Sequence, residues 1–281
     1  MPVTLVTGSS SGFGFRTARL FARRGHTVAA TMRDPAKGDE LRRLADDEGL
    51  DLHVPTLDVT DPEGVIAAVD GVVADLGGLD VVVSNAGLGL EGPVEEVSDA
   101  EARRVFDVNV FGTLNVARAA VPHLRAQGSG AFVALSSVAG IIAAPFDGIY
   151  SASKWAVEAA CESLHFELQA AGVRVALIEP GGFPTGFDAN RVRAEAFGEE
   201  SPYHGIATRF REARRSVMPG RTDDPEAAEI VAEAIWEAVT TDEPKLRWPV
   251  GDEAELLSAL RASTDFDGFE QAVRQTLDFW E

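Results

Sequence analysis

Short runs of β-branched and aliphatic residues recur along this chain at residues 3–7, 27–31, 52–57, 79–84, 131–135 and 173–178. Segments of helical spacing separate them. The alternation is the strongest constraint on the fold, because strands that are apolar on both faces must be covered on both. Parallel neighbours also need a crossover, usually a helix. The expectation is an α/β doubly wound parallel sheet in three layers, with ligands beyond the carboxyl ends of its strands where the strand order reverses.

The 281 residues and their 45% hydrophobic content suit one domain spanning 1–281. After residue 178 the alternation fails, and 179–225 is rich in Gly, Pro, Arg and Phe with no clear strand. A substrate-binding lobe or lid at 183–225 is expected, followed by a helix over 225–239, a last strand at 245–249 and a helical tail ending at Trp280. A formal net charge of −20 argues against nucleic acid or anionic lipid as a partner. Cys161 is the single cysteine, so no internal disulfide forms, and its apolar helical neighbours suggest a buried thiol. No run of roughly eighteen apolar residues occurs, and a strand begins directly after Pro2, so a cytoplasmic protein is expected.

Directly after the first strand the sequence reads TGSSSGFG at residues 7–14, with a helix expected from near Phe15. Gly8, Gly12 and Gly14 in that position let the backbone approach a pyrophosphate at a helix N-terminus. The second strand ends in Met32, Arg33 and Asp34. An acid there would bind the ribose 2′-hydroxyl of NAD, whereas an arginine holds the 2′-phosphate of NADP. With Met32 in the acid's place, Arg33 points to NADP(H). Asp34 in the acidic role is the alternative, with NAD(H).

At Tyr150 the sequence YSASK places Lys154 one helical turn away on the same face. An ammonium beside a phenol favours phenolate and makes a usable acid/base pair at neutral pH. Ser137 follows a strand and can steady a substrate oxygen there, with Ser136 as the rival. Asn109 is expected within a helix, an unfavourable place for asparagine unless its side chain has a partner.

Taken with LDVT at 57–60, NAG at 85–87, LSS at 135–137 and PGGFPT at 180–185, these residues resemble the short-chain dehydrogenase/reductase family. The resemblance covers almost the whole chain and implies a Rossmann fold and hydride transfer between NADP(H) and a carbonyl or secondary alcohol. It implies a catalytic tetrad of Asn109, Ser137, Tyr150 and Lys154: Tyr150 moves the proton, Ser137 orients the substrate oxygen, Lys154 holds the nicotinamide ribose, and Asn109 places a water. Asp58 and Val59 would border the adenine, Asn85, Ala86 and Gly87 the cofactor ribose, and Thr185 the nicotinamide amide. Ser10, Ser11, Phe13, Pro180, Gly181 and Phe183 complete the cofactor set.

PFDGIYSASK, EPGGFPT, ATMRDP and KLRWPVG resemble the branch holding 17β-hydroxysteroid dehydrogenases and related bacterial reductases. Rings at Phe146, Trp155, Phe183, Phe187, Phe197 and Tyr203 suggest a hydrophobic substrate, with Phe146, Phe183 and Phe187 as its contacts. Arg191, Arg193, Arg209 and Arg211 are expected in charged helical stretches. The helices expected around 100–124 and 151–171 carry wide apolar faces, so a homodimer or homotetramer is expected. A non-catalytic NADP-binding sensor or scaffold, and a nucleotide-sugar epimerase or dehydratase, are the rival readings.

Overall fold

The computed structural model describes residues 1–183, 191–217 and 225–280. Seven parallel strands form one sheet in the order β3-β2-β1-β4-β6-β7-β9: β1 (Val3–Val6), β2 (Thr27–Ala30), β3 (Leu52–His53), β4 (Val81–Ser84), β6 (Ala131–Leu135), β7 (Arg174–Pro180) and β9 (Arg247–Val250). From β1 the chain builds outward through β2 and β3, then returns to lay β4 on β1's other side. That reversal opens a crevice between the carboxyl ends of β1 and β4.

Residues alternate across the strands, and each face takes its own helices. Leu5, Val82, Phe132 and Leu177 pack with residues of α3 (Pro62–Leu76), α5 (Gly112–Gln127) and α6 (Gly148–Leu168). Val6, Val83, Val133 and Ile178 pack with residues of α1 (Gly12–Arg23), α2 (Asp39–Glu48) and a helix over Glu229–Thr240. This is the three-layer Rossmann arrangement, with both sheet faces buried. Cys161 lies in the first of these cores, 2% exposed.

Departures from the expected bounds have local causes. The third strand stops at His53 because Pro55 carries no N–H for the ladder, and the pairing survives beyond it only as a bridge between Met32 and Thr56. The first helix starts at Gly12, not Phe15, with Ser11 as its N-cap. Asn109 stands in a π-helical turn, Asp107–Phe111, between α4 (Asp99–Phe106) and α5.

The stretch expected to lack strands holds one, β8 (Val192–Arg193), paired in parallel with β5 (Leu90–Glu91). Arg193 lies in that strand and Arg191 just before it, so only Arg209 and Arg211 are helical, in α7 (His204–Val217). The helix expected at 225–239 opens with a 3-10 turn, Pro225–Ala228, and continues as α8 (Glu229–Thr240). The tail forms α9 (Asp252–Ser263) and α10 (Phe266–Thr276). No helix among the described residues is long and apolar enough to cross a membrane.

Candidate active site

Thr7 and Asn85 end neighbouring strands at the switch point and lock the glycine turn. The Thr7 hydroxyl accepts from the backbone N–H groups of Asn85 (2.9 Å) and Ala86 (3.0 Å). The Asn85 amide donates to the Thr7 and Gly8 carbonyls at 2.7 and 3.1 Å. Gly8 adopts φ +69°, and a Cβ at Gly14 would lie 2.6 Å from the Gly8 oxygen, so neither position accommodates a side chain. Asn85 thus fastens the turn through its side chain, and Gly14 packs behind it.

A cleft of about 580 Å³ runs along these strand ends. Among the expected residues it is lined by Gly8, Ser10, Ser11, Gly12, Phe13, Arg33, Asp58, Val59, Asn85, Ala86, Gly87, Ser137, Tyr150, Lys154, Pro180, Gly181 and Phe183. Thr185 and Phe187 lie outside the described residues. Arg33 is exposed at one end and has no side-chain partner among the described residues, with Lys37 beside it on the cleft wall. Asp34 instead caps the following turn, accepting from the Ala36 N–H at 3.1 Å. The Asp58 carboxylate accepts from the N–H and hydroxyl of Thr60 at 3.0 and 2.7 Å.

Tyr150 and Lys154 both line the middle of the cleft from α6, with the ammonium 5.8 Å from the phenol ring centroid. Lys154 is 5% exposed and donates to the Leu135 carbonyl at 2.7 Å, which fixes it at the end of β6. Burial strips water from the ammonium and pulls its pKa down from 10.5 to about 8, against the opposing charge of Glu158. Ser137 follows β6 at the same mouth and caps a 3-10 turn, its hydroxyl accepting from the Ala139 N–H at 3.1 Å. Ser136 also lines the cleft but is only 5% exposed.

Asn109 has the partners that its place in a helix demands. Its oxygen accepts from the Leu88 N–H at 2.7 Å, and its amide donates to the Leu88 carbonyl (3.0 Å) and the Ser153 hydroxyl (2.9 Å). Ser153 in turn donates to the Tyr150 carbonyl at 2.6 Å. Asn109 therefore braces the loop after β4 against α6, 1% exposed and behind the cleft wall.

Most of the rings expected at the substrate lie elsewhere. Phe146 is behind the wall, where it stacks on Phe197 (5.9 Å) and meets Phe210 and Tyr203. Its φ of 66° is strained for a residue with a side chain. Trp155 faces outward, 46% exposed, and Phe197 is buried among Leu90, Val105, Ala194 and Ala207. Phe183 lines the cleft, edge-on to Phe13 at 5.9 Å.

One wall escaped the sequence reading: Phe210 and Arg214 from α7, Glu253 and Leu257 from α9, Phe269 and Val273 from α10. Arg191 and Asp147 also line the cleft and form an ion pair. Glu253, 4% exposed, accepts from Arg214 at 2.6 and 3.0 Å and from the Gly182 N–H at 2.8 Å. No local signal marks these residues, because the tertiary fold alone brings them to the cleft.

A family described as short chain dehydrogenase matches residues 2–196. The chain belongs to that family. Among short-chain relatives, a 3-ketodihydrosphingosine reductase of Bacteroides thetaiotaomicron is 32% identical over 263 residues, covering 92% of this chain and 90% of that protein. Human 17-beta-hydroxysteroid dehydrogenase type 1 is 41% identical over 192 residues, 66% of this chain and 58% of that one. A solved short-chain dehydrogenase from Streptomyces avermitilis matches with a TM-score of 0.78 and 33% identity, covering 98% of this chain and 100% of its own. A Burkholderia phymatum relative solved with NAD has a TM-score of 0.75 and 30% identity over 93% of each chain. A metagenomic short-chain oxidoreductase solved with NADP has a TM-score of 0.62 and 32% identity, over 65% of this chain and 83% of that one.

Proposed function

We propose that this short-chain oxidoreductase transfers a hydride between NADP(H) and a carbonyl or secondary alcohol on a largely hydrophobic molecule, with Tyr150 as acid and base. The observation that carries the reading is the meeting, in one cleft, of the glycine turn with Tyr150 and a buried Lys154.

The residues fit a nicotinamide dinucleotide. The first turn of α1 has no acidic residue and Ser11 makes no side-chain cap, so its amides are open to an anion along the cleft. Arg33, without a side-chain partner among the described residues, is the group for a 2′-phosphate, and the commitment of Asp34 to its own turn weakens the NAD alternative. When bound, the nicotinamide supplies the hydride chemistry.

Tyr150 holds and moves the proton at its phenol oxygen. Lys154, as an ammonium beside the ring, favours the phenolate, and Ser137 orients the substrate oxygen from the end of β6. Asn109 acts through position, by fixing the π-turn against Ser153. Phe183, Leu257, Phe269 and Val273 give the far end of the cleft an apolar lining that excludes water. The lobe expected at 183–225 contributes to that end through Arg191, Val192, Phe210 and Arg214. Phe111, Trp155 and Phe166 lie exposed on or beside α5 and α6, which supports a homo-oligomer.

The test is Tyr150→Phe assayed by NADPH oxidation against a panel of ketones, with cofactor binding followed by NADPH fluorescence. Turnover is expected to fall by roughly a hundredfold or more while NADPH binding stays close to wild type. Equal turnover in the two proteins overturns the role of Tyr150, and NADPH binding without turnover of any ketone favours a sensor.

A further inference from the structure

A second polar cluster lies behind the catalytic helix, away from the cleft mouth. Glu158 is one turn beyond Lys154 on α6 and 5% exposed, and Glu179 of β7 is 1% exposed. Arg247 of β9 reaches in to meet both, 3.2 Å from Glu158 and 3.5 Å from Glu179, while holding the outer Glu162 at 2.6 Å. Two buried carboxyl groups therefore share one guanidinium. The Ser136 hydroxyl stands beside Glu158 and favours its ionised form, and the two carboxyls lie against each other. A Cβ at Gly140 would lie 2.7 Å from Ser136 Oγ and 3.2 Å from Glu158 Oε1, so these groups pack closely under the cleft floor.

Resting on the acid/base reading of Tyr150 and Lys154, we propose that Glu158 is a positioning residue whose carboxylate keeps Lys154 an ammonium, with Glu179 as its proton-carrying partner and Arg247 as the anchor of the pair.

The assignment follows from which groups can bear charge. Around Lys154 stand the Tyr150 ring, the Leu135 carbonyl, Glu158 and, two turns along α6, Cys161. Burial pushes the Cys161 thiol up to about 12, so it stays neutral. Burial raises Glu158 as well, but the Ser136 hydroxyl, Arg247 and Lys154 all favour its ionised form, which leaves it as the anion. Facing Glu158 from β7 and β9 are Glu179 and Arg247. Burial, and then the neighbouring charge of Glu158, raise Glu179 to about 8, which makes it the protonated member at neutral pH. A proton on Glu179 also gives the facing carboxylate a further donor beside Arg247 and Ser136.

The chain's three lysines, Lys37, Lys154 and Lys245, allow a direct test without a substrate. Lysine labelled with 13C at Cε reports the protonation of each side chain by NMR, with assignment from Lys37→Arg and Lys245→Arg. In the full-length protein, Glu158→Gln is expected to lower the Lys154 titration midpoint by about one unit or more. Glu158→Asp, which keeps the charge, is expected to stay within about half a unit of wild type.

Glu179→Gln is expected to lower the midpoint by less than about half a unit, because Glu179 is only part ionised where Lys154 titrates. An unchanged midpoint in folded Glu158→Gln overturns the proposal, as does a fall in Glu158→Asp equal to that in Glu158→Gln. Should Glu158→Gln not fold, Glu179→Gln decides: a fall of about one unit or more there would make Glu179 the counter-charge and overturn the assignment. A midpoint that moves as expected in a protein that reduces no ketone would sink the enzymatic reading and leave this electrostatic one standing.

Discussion

The two halves of the cleft are walled by different kinds of structure. Gly8–Phe13, Asn85–Gly87 and Leu135–Ser137 follow the ends of parallel strands whose backbones are paired on both sides. Phe210, Arg214, Glu253, Leu257, Phe269 and Val273 come from three helices outside the sheet, beyond the residues that match the family. Each half also has a buried ionic cluster, and the two differ in balance. Arg214 and Glu253 pair one to one, and the second carboxylate oxygen is taken by the Gly182 N–H. Behind α6, two buried carboxyls compete for one guanidinium, that of Arg247. A balanced pair braces, whereas an unbalanced one titrates.

The largest expected effect tests whether the helical half is braced to the sheet or merely lies on it. Glu253→Gln leaves the half-buried Arg214 without its charge partner and weakens the tie between α7, α9 and the Gly182 loop. Arg214 keeps some access to water, so the cost is placed at roughly 3 kcal/mol, the lower end for a broken buried pair. Thermal unfolding is expected to fall by about 6–10 °C. Affinity for NADPH is expected to weaken with it, because Gly181, Gly182 and Phe183 line the cleft proposed to take the cofactor. A melt that coincides with wild type would show that the two halves stand independently.

An intermediate effect belongs to the sheet-edge half alone. On the proposed reading, Arg33→Ala removes one charge-assisted contact to a 2′-phosphate, about 2 kcal/mol or roughly thirtyfold in affinity. The net charge of −20 opposes an anionic cofactor everywhere, yet salt screens that diffuse field within about 8 Å and leaves the local contact dominant. Wild type is expected to prefer NADPH over NADH, and the variant to lose that preference through the KM for NADPH with NADH kinetics little changed. Retained discrimination in Arg33→Ala, or a wild type that favours NADH, would break the assignment.

The same division explains what could be read from the residues in order. Strand alternation, the glycine turn and the one-turn spacing of Tyr150 and Lys154 are local patterns, and the structure brings them to one cleft. The helical wall is not local: Phe269 lies over a hundred residues from Tyr150 in sequence and meets the cleft only because α10 folds back. Trp155 illustrates a subtler failure. It follows Lys154 directly, but one step on a helix rotates a side chain by about 100°, which sends the ring to the surface. Phe146 precedes Tyr150 by four residues, yet it joins the lobe's aromatic cluster, in a backbone conformation that side-chain-bearing residues seldom adopt. Arg247 carried no expectation beyond its strand, because two carboxylates from distant elements define its role.

The smallest effect concerns how the unbalanced cluster responds to pH. Glu179 titrates at about 8 in the folded protein and in the ordinary carboxylate range when unfolded, so between these values the folded state binds the extra proton. Its contribution to stability is therefore complete below the unfolded value and is lost as pH rises through about 8. Lys154 shifts the other way, recovering stability between about 8 and 10.5, but both proteins in the comparison carry it and its effect cancels. Glutamine at 179 keeps the neutral form at every pH. The melting temperature of Glu179→Gln relative to wild type is thus expected to rise from pH 6 to pH 9, by an amount on the order of 1 kcal/mol or ~2 °C once Arg247 offsets part of the buried charge. Parallel pH profiles for wild type and Glu179→Gln would mean that Glu179 is ionised throughout, and the contrast between a titrating cluster and a bracing one would fail.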